Sequence, residues 1–275
     1  MATAAGLVGA PVLSAAVLAG PAGAGPLPSA ASYHAGPPVD VLYAGSLVNV
    51  MEDHIGPAFH AATGIGFEGF ADGSKALATD IKSKLRPADV FISASTQVDK
   101  TLEGAANGDW VANPTTFAYS YLEIGYNPQS HFAHQLQTRP WYEVVGENGF
   151  RLGRTDPATD PKGVLAVTAL DEAAARYHQP ALKALAMTTD NVFPEAGLVG
   201  RLQAGDLDAG FFYAVEATAA KIPSVPLTGF KLHATYTIAV VNHAPHPAAA
   251  AAYVKYYLGA AGLRILDQEG LTTLR

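Results

Sequence analysis

From Val39 onward, short apolar runs alternate with segments whose apolar residues recur at three- and four-residue steps. Residues 39–43 (VDVLY) read as a strand ending in the turn Ala44-Gly45-Ser46. Leu47, Met51, Ile55 and Phe59 follow at four-residue spacing, which lines one face of an amphipathic helix. The cycle then repeats: a strand over 65–70, the turn Asp72-Gly73-Ser74, helical spacing at Leu77, Ile81 and Leu85, and a third strand over 88–93. Further strands are expected over 122–127, 150–154, 209–213 and 233–241. Pro161 opens a helix reaching about Tyr177, a second helix over 195–204 is stopped by Gly205, and helices over 247–259 and 260–270 finish the chain. Strand, turn, helix, strand implies βαβ units and a mostly parallel sheet. Two such halves, with no repeat at a fixed period, suggest two α/β lobes around a cleft.

Composition narrows the function more than the fold. The 275 residues carry a net charge of −7, and the few Lys and Arg residues are never clustered, which excludes a nucleic-acid footprint. An acidic protein that binds an anion must use a local site. The absence of cysteine excludes disulfide frameworks, zinc–thiolate sites, thiol catalysis and a lipid anchor on cysteine. Residues 7–19 form an apolar run followed by Ala22-Gly23-Ala24, so 1–24 read as a signal peptide and 25–38 as a flexible linker, although no Lys or Arg precedes Lys75. The expected location is therefore extracytoplasmic, periplasmic or at the cell surface.

The two Gly-Ser turns stand where open α/β sheets bind ligands, beyond strand ends and at helix N-termini. There unpaired backbone N–H groups and the helix dipole favour an anion, while glycine permits close approach and serine adds a hydroxyl. Either turn alone could equally be an ordinary N-cap. The string Gly64-Ile65-Gly66-Phe67-Glu68-Gly69 matches GxGxxG but falls within a strand candidate, so a dinucleotide site is not expected. His131/His134 and His243/His246 read as surface-loop residues without acidic partners. Asp160 before Pro161 and Glu195 after Pro194 are ordinary helix-start residues, and as a pair of acids they could also serve acid/base chemistry.

VLYAGSL (41–47), ADGSKAL (71–77), ADVFISAS (88–95), RTDPATDPKG (154–163) and PEAGLVGRLQAGDLDAGFFY (194–213), in this order and spacing, resemble the periplasmic molybdate/tungstate-binding proteins of ABC importers, above all their archaeal-type branch. The resemblance runs from about Val39 to Arg275. It implies a type II periplasmic-binding fold with a hinge, one lobe formed by 39–120 and 232–275 and the other by 121–231. It also implies that Gly45, Ser46 and Ser74 of the first lobe, with the amide near Lys162 and Tyr213 of the second, hold the oxyanion. Asp160 and Glu195 fall where that branch brings two carboxylates to the metal of the oxyanion. Carboxylates beside a dianion repel it by about 4 kcal/mol per charge pair at ~4 Å. Bonding to a hard Mo(VI) or W(VI) centre can outweigh this, whereas sulfate and phosphate offer no such bond. Lys162 departs from the small residue expected there and could pair with the anion or block it, and Phe212 stands where some relatives carry an acid. No cofactor is implied; the partners would be molybdate or tungstate, a permease and its ATPase, with the binding protein a monomer. Rival readings are a sulfate, phosphate-metabolite or ferric-iron binder, the last using Tyr119, Tyr121 and Tyr213, or a secreted glycoside hydrolase. The hydrolase is disfavoured because Trp110 and Trp141 are the only tryptophans.

Overall fold

The computed structural model describes residues 36–274, so the expected signal peptide and nearly all of the expected linker lie outside the described residues. The chain opens with β1 (Val39–Ala44), a 3-10 turn (Gly45–Leu47) and a π-helical turn (Val50–Ile55) that runs into α1 (Gly56–Thr63). The apolar face expected of one continuous helix is therefore wound in three ways. Pro57 has no N–H for an i→i−4 bond, which helps to explain the irregular winding before it. Leu47, Met51, Ile55 and Phe59 are nevertheless all buried. Gly64 ends α1 at φ +72°, and β2 (Phe67–Asp72) starts two residues later than the spacing predicts. After α2 (Ser74–Ser83) the chain turns away at Lys84 (φ 53°), so Leu85 is 68% exposed instead of continuing the apolar face.

Next come β3 (Val90–Ser93), α3 (Thr96–Lys100), β4 (Thr115–Tyr126), α4 (Ala133–Thr138), α5 (Trp141–Val144) and β5 (Leu152–Thr155). Then follow α6 (Pro161–Tyr177), α7 (Pro180–Met187), β6 (Val192–Phe193), α8 (Glu195–Gln203), β7 (Ala209–Tyr213) and α9 (Ala214–Ala219). The chain closes with β8 (Ser224–Pro226), β9 (His233–Val240), α10 (Pro247–Tyr257), α11 (Ala260–Gln268) and β10 (Thr272–Thr273).

The strand order is β2-β1-β3-β9-β4-β7-β5-β6. The expectation of a mostly parallel sheet is corrected here: β1 pairs in parallel with β2 and β3, and β5 with β6 and β7, but β9 and β4 run antiparallel to their neighbours. β4 also begins at Thr115, seven residues before the strand predicted over 122–127, and its first half is rich in the β-favouring residues Thr115, Thr116, Phe117, Tyr119 and Tyr121. That first half pairs with β9 and its second half with β7, so one strand is common to two α/β halves. α1, α2 and α3 flank the first half, and α6 and α8 the second. Among the described residues, no helix is long and apolar enough to cross a membrane.

His246 corrects another expectation. Its Nδ1 lies 3.0 Å from Asp89 Oδ2 and 3.4 Å from Asp40 Oδ2, and its backbone N–H donates to Asp89 Oδ1 at 2.6 Å. It therefore ties the start of α10 to β1 and to the residue just before β3, while His131, His134 and His243 are exposed as expected.

Candidate functional site

β1 delivers Gly45 and Ser46 to the end of the sheet, where both are buried. Ser46 Oγ lies 2.8 Å from the hydroxyl of Tyr236 on β9. A Cβ at Gly45 would come within 2.9 Å of Glu195 Oε2, so only glycine allows the two halves this approach. β2 delivers Gly73 and Ser74 in the same way. A Cβ at Gly73 would stand 2.5 Å from the carbonyl oxygen of Thr159. That carbonyl accepts from the N–H groups of Lys75 (3.1 Å) and Ala76 (3.2 Å), so the 156–160 turn of the second half caps α2 of the first. Ser74 Oγ accepts from the N–H of Ala94 at 3.0 Å.

The second half contributes Asp160, Lys162, Glu195 and Tyr213, all at most 5% exposed. Asp160 caps α6 by accepting from the N–H of Lys162 at 2.7 Å, so this amide is engaged within its own helix. The other carboxylate oxygen of Asp160 is buried without a hydrogen-bond partner, as is the Tyr213 hydroxyl. Lys162, fully buried, neither projects freely nor stands alone. Its Nζ lies 2.8 and 2.6 Å from the two oxygens of Glu216 and 2.9 Å from Glu195 Oε1. Glu216 Oε2 also accepts from the N–H of Tyr213 at 3.3 Å, which fixes the start of α9. The rings of Tyr213 and Tyr236 meet edge-on with centroids 6.2 Å apart. Ser46, Tyr236, Tyr213, Lys162, Glu216, Glu195 and Gly45 thus gather where the two halves meet.

The electrostatics follow from burial. Desolvation and Asp160 drive the Glu195 carboxyl well above its usual range against the pull of Lys162. Burial likewise raises Glu216, opposed by Lys162. Burial weakens the Lys162 ammonium, but Glu195, Glu216 and Asp160 outweigh that effect and keep it charged. Burial, with Asp160 as the largest charge nearby, raises Tyr213 well above the ordinary phenol value; burial also raises Tyr236. Both phenols therefore remain protonated donors at neutral pH. Two small cavities adjoin Glu195. One of about 160 Å³ is bordered by Gly45, Ser46 and Glu216, and one of about 350 Å³ by Gly73, Thr155 and Asp160.

All seven residues expected at the site lie in this region. Sequence reasoning missed Glu216 and Tyr236. Glu216 had a faint signal, an acid in the first turn of a helix; Tyr236 had none within an apolar strand. The tyrosines considered for iron do not converge: Tyr119 and Tyr121 stack edge-on against His233, and Tyr121 is 51% exposed.

Residues 39–272 match a protein family described as bacterial extracellular solute-binding protein. A Haloferax volcanii protein assigned to molybdenum binding by an ABC transporter is 31% identical over 192 residues, which span 70% of this chain and 60% of that one. The molybdate-binding protein of Mycobacterium tuberculosis is 29% identical over 239 residues, 84% of this chain and 83% of that protein. Among solved structures, the periplasmic molybdate-binding protein of Azotobacter vinelandii superposes with a TM-score of 0.69 at 16% identity, covering 86% of this chain and all of its own. The fold is the two-lobed type II periplasmic-binding fold.

Proposed function

The chain belongs to the bacterial extracellular solute-binding protein family, and from that premise we propose that it captures molybdate or tungstate outside the cytoplasm and hands the anion to an ABC permease driven by its ATPase. The family is one of transport proteins, not enzymes. The observation that carries the reading is a buried ring of hydroxyls and carboxylates contributed by both lobes, in which the Tyr213 hydroxyl and one oxygen of Asp160 have no partner. Buried polar groups are otherwise nearly always satisfied.

In this reading Ser46, Ser74 and Tyr213 donate to the oxyanion, and Gly45 lets the β1 turn approach it. Asp160 and Glu195 turn carboxylate oxygens to the metal, which distinguishes molybdate and tungstate from sulfate and phosphate. Lys162 and Glu216 anchor Glu195 and offset part of the negative charge that would oppose an incoming dianion. Thermal unfolding of the protein with molybdate, tungstate, sulfate or phosphate tests this. A ligand at a thousandfold excess over Kd stabilises the native state by about 4 kcal/mol. A large rise in Tm with molybdate and tungstate alone is expected; no rise with either, or a larger rise with sulfate or phosphate, overturns the proposal.

A further inference from the structure

A cavity of about 640 Å³, much larger than the two beside Glu195, lies behind the oxyanion site. It shares no residue with that site, yet Lys75 follows Ser74, Pro161 follows Asp160, and the N–H of Ala94 is held by Ser74 Oγ. Its walls come from both lobes: one face of α2, the start of α3, the first turns of α6 and the start of β9. Small-molecule sites commonly measure about 300–1,000 Å³. A tetrahedral oxyanion would leave most of this space empty.

The charge of the lining is unusual for this chain. The protein carries a net charge of −7, but the lining contains Lys75, Lys82 and His233 and no Asp or Glu. Among the described residues neither lysine makes an ion pair; Lys75 Nζ donates to the Pro157 carbonyl at 2.7 Å, which leaves its charge uncompensated. Thr79, Thr96 and Thr235 line the cavity as well, the Thr79 hydroxyl donating to the Lys75 carbonyl at 3.0 Å, while Val164 and Leu165 supply an apolar wall. Lys75 and Lys82 are two helical turns apart on α2, so their backbones are separated by ~10 Å. Two cations at that spacing suit a molecule with separated anionic groups better than a single compact anion.

We propose that this interlobe cavity is a second binding site, taking a small hydroxylated oligocarboxylate, with its carboxylates toward Lys75 and Lys82, its hydroxyl among the threonines and its carbon body against Val164 and Leu165. The assignment is independent of which oxyanion fills the neighbouring site.

Calorimetric titration of the full chain with citrate, alone and with molybdate present at saturation, tests the assignment. Citrate is expected to bind saturably with one molecule per chain, also in the presence of molybdate and in Ser46→Ala. Lys82→Gln removes one charge contact and should weaken citrate by about tenfold, equivalent to ~1.4 kcal/mol. Val164→Glu places a carboxylate on the wall of the cavity and should abolish citrate binding while leaving the response to molybdate unchanged. Both altered side chains are solvent-exposed, so folding should survive; circular dichroism checks this. No saturable binding at millimolar citrate, competition between citrate and molybdate, or citrate binding indifferent to both substitutions would each overturn the proposal. Failure of molybdate to bind while citrate does so would count against the oxyanion reading alone.

Discussion

Replacing Lys162 by Met removes the only cation from a cluster that also holds Asp160, Glu195 and Glu216, while keeping much of the side-chain volume. Lys162 Nζ touches three carboxylate oxygens at 2.6 to 2.9 Å and is wholly buried. Breaking such a buried pair by removing one partner costs about 3–5 kcal/mol, because it leaves charge uncompensated in a dry interior. For a domain of this size each kcal/mol moves Tm by about 2–4 °C, so a fall of about 6 to 20 °C is expected at pH 7. The sign of the pH dependence follows from the carboxyls that remain. Burial already raises Glu195 and Glu216 in the folded protein, whereas in the unfolded chain they titrate near ~4.3. Groups raised in this way stabilise the fold below the unfolded pKa and lose that contribution as pH rises through the folded value. The deficit of Lys162→Met should therefore shrink between pH 7 and pH 5. Adding Glu216→Gln removes one stranded charge and should restore part of the loss at pH 7. Thermal melts followed by circular dichroism at both pH values measure all of this. A single variant that melts within about 2 °C of the parent at pH 7 would refute the reasoning.

Gly73→Ala drives a Cβ to 2.5 Å from the Thr159 carbonyl oxygen, so the variant should fold normally by circular dichroism yet lose at least about tenfold in molybdate affinity through impaired closure. Asp160→Asn keeps an N-cap for α6 but removes a charge, and Glu195→Gln removes the second. In calorimetry both should weaken molybdate and narrow its advantage over sulfate, and an unchanged ratio would exclude a role for the two carboxylates in selectivity. Burial pushes the Asp99 carboxyl up to about 6, with one oxygen held by Thr237 and the other unpartnered. Its contribution to stability is present below about pH 4 and lost as pH rises through about 6. Asp99→Asn should accordingly stabilise the protein by about 1–3 kcal/mol at pH 8 and by much less at pH 4, as read from urea unfolding.

Much of the candidate site was legible because its parts are local signals. A strand that ends in Gly-Ser before helical spacing is a pattern of about ten residues, and it puts Ser46 and Ser74 at the ends of β1 and β2 without knowledge of anything distant. Asp160 before Pro161 is likewise a helix start read from adjacent residues, and α6 begins and ends where periodicity puts it. The helix read from Leu47 kept its buried face even though its winding is irregular, because burial follows spacing more faithfully than it follows hydrogen-bond pattern.

Partnerships were beyond that reach. Lys162 and Glu216 are 54 positions apart, and Ser46 and Tyr236 are 190 apart. No periodicity links them. His246 read as a loop residue until the sheet order brought the start of α10 beside Asp89 and Asp40. The direction of β4 and β9 was hidden for the same reason, since a strand's alternation of side chains is identical whether its neighbour runs parallel or antiparallel. The sequence by itself determined the α/β class, the starts of α6, α8, α10 and α11 and the turns that present glycine and serine, because these depend on torsional preference and spacing within a few residues. Only the tertiary structure decided that Lys162 is bound to two glutamates, that Tyr236 joins the ring and that two lysines face a cavity without acids. Those facts depend on which strands become neighbours, and that choice is made by packing over the whole chain.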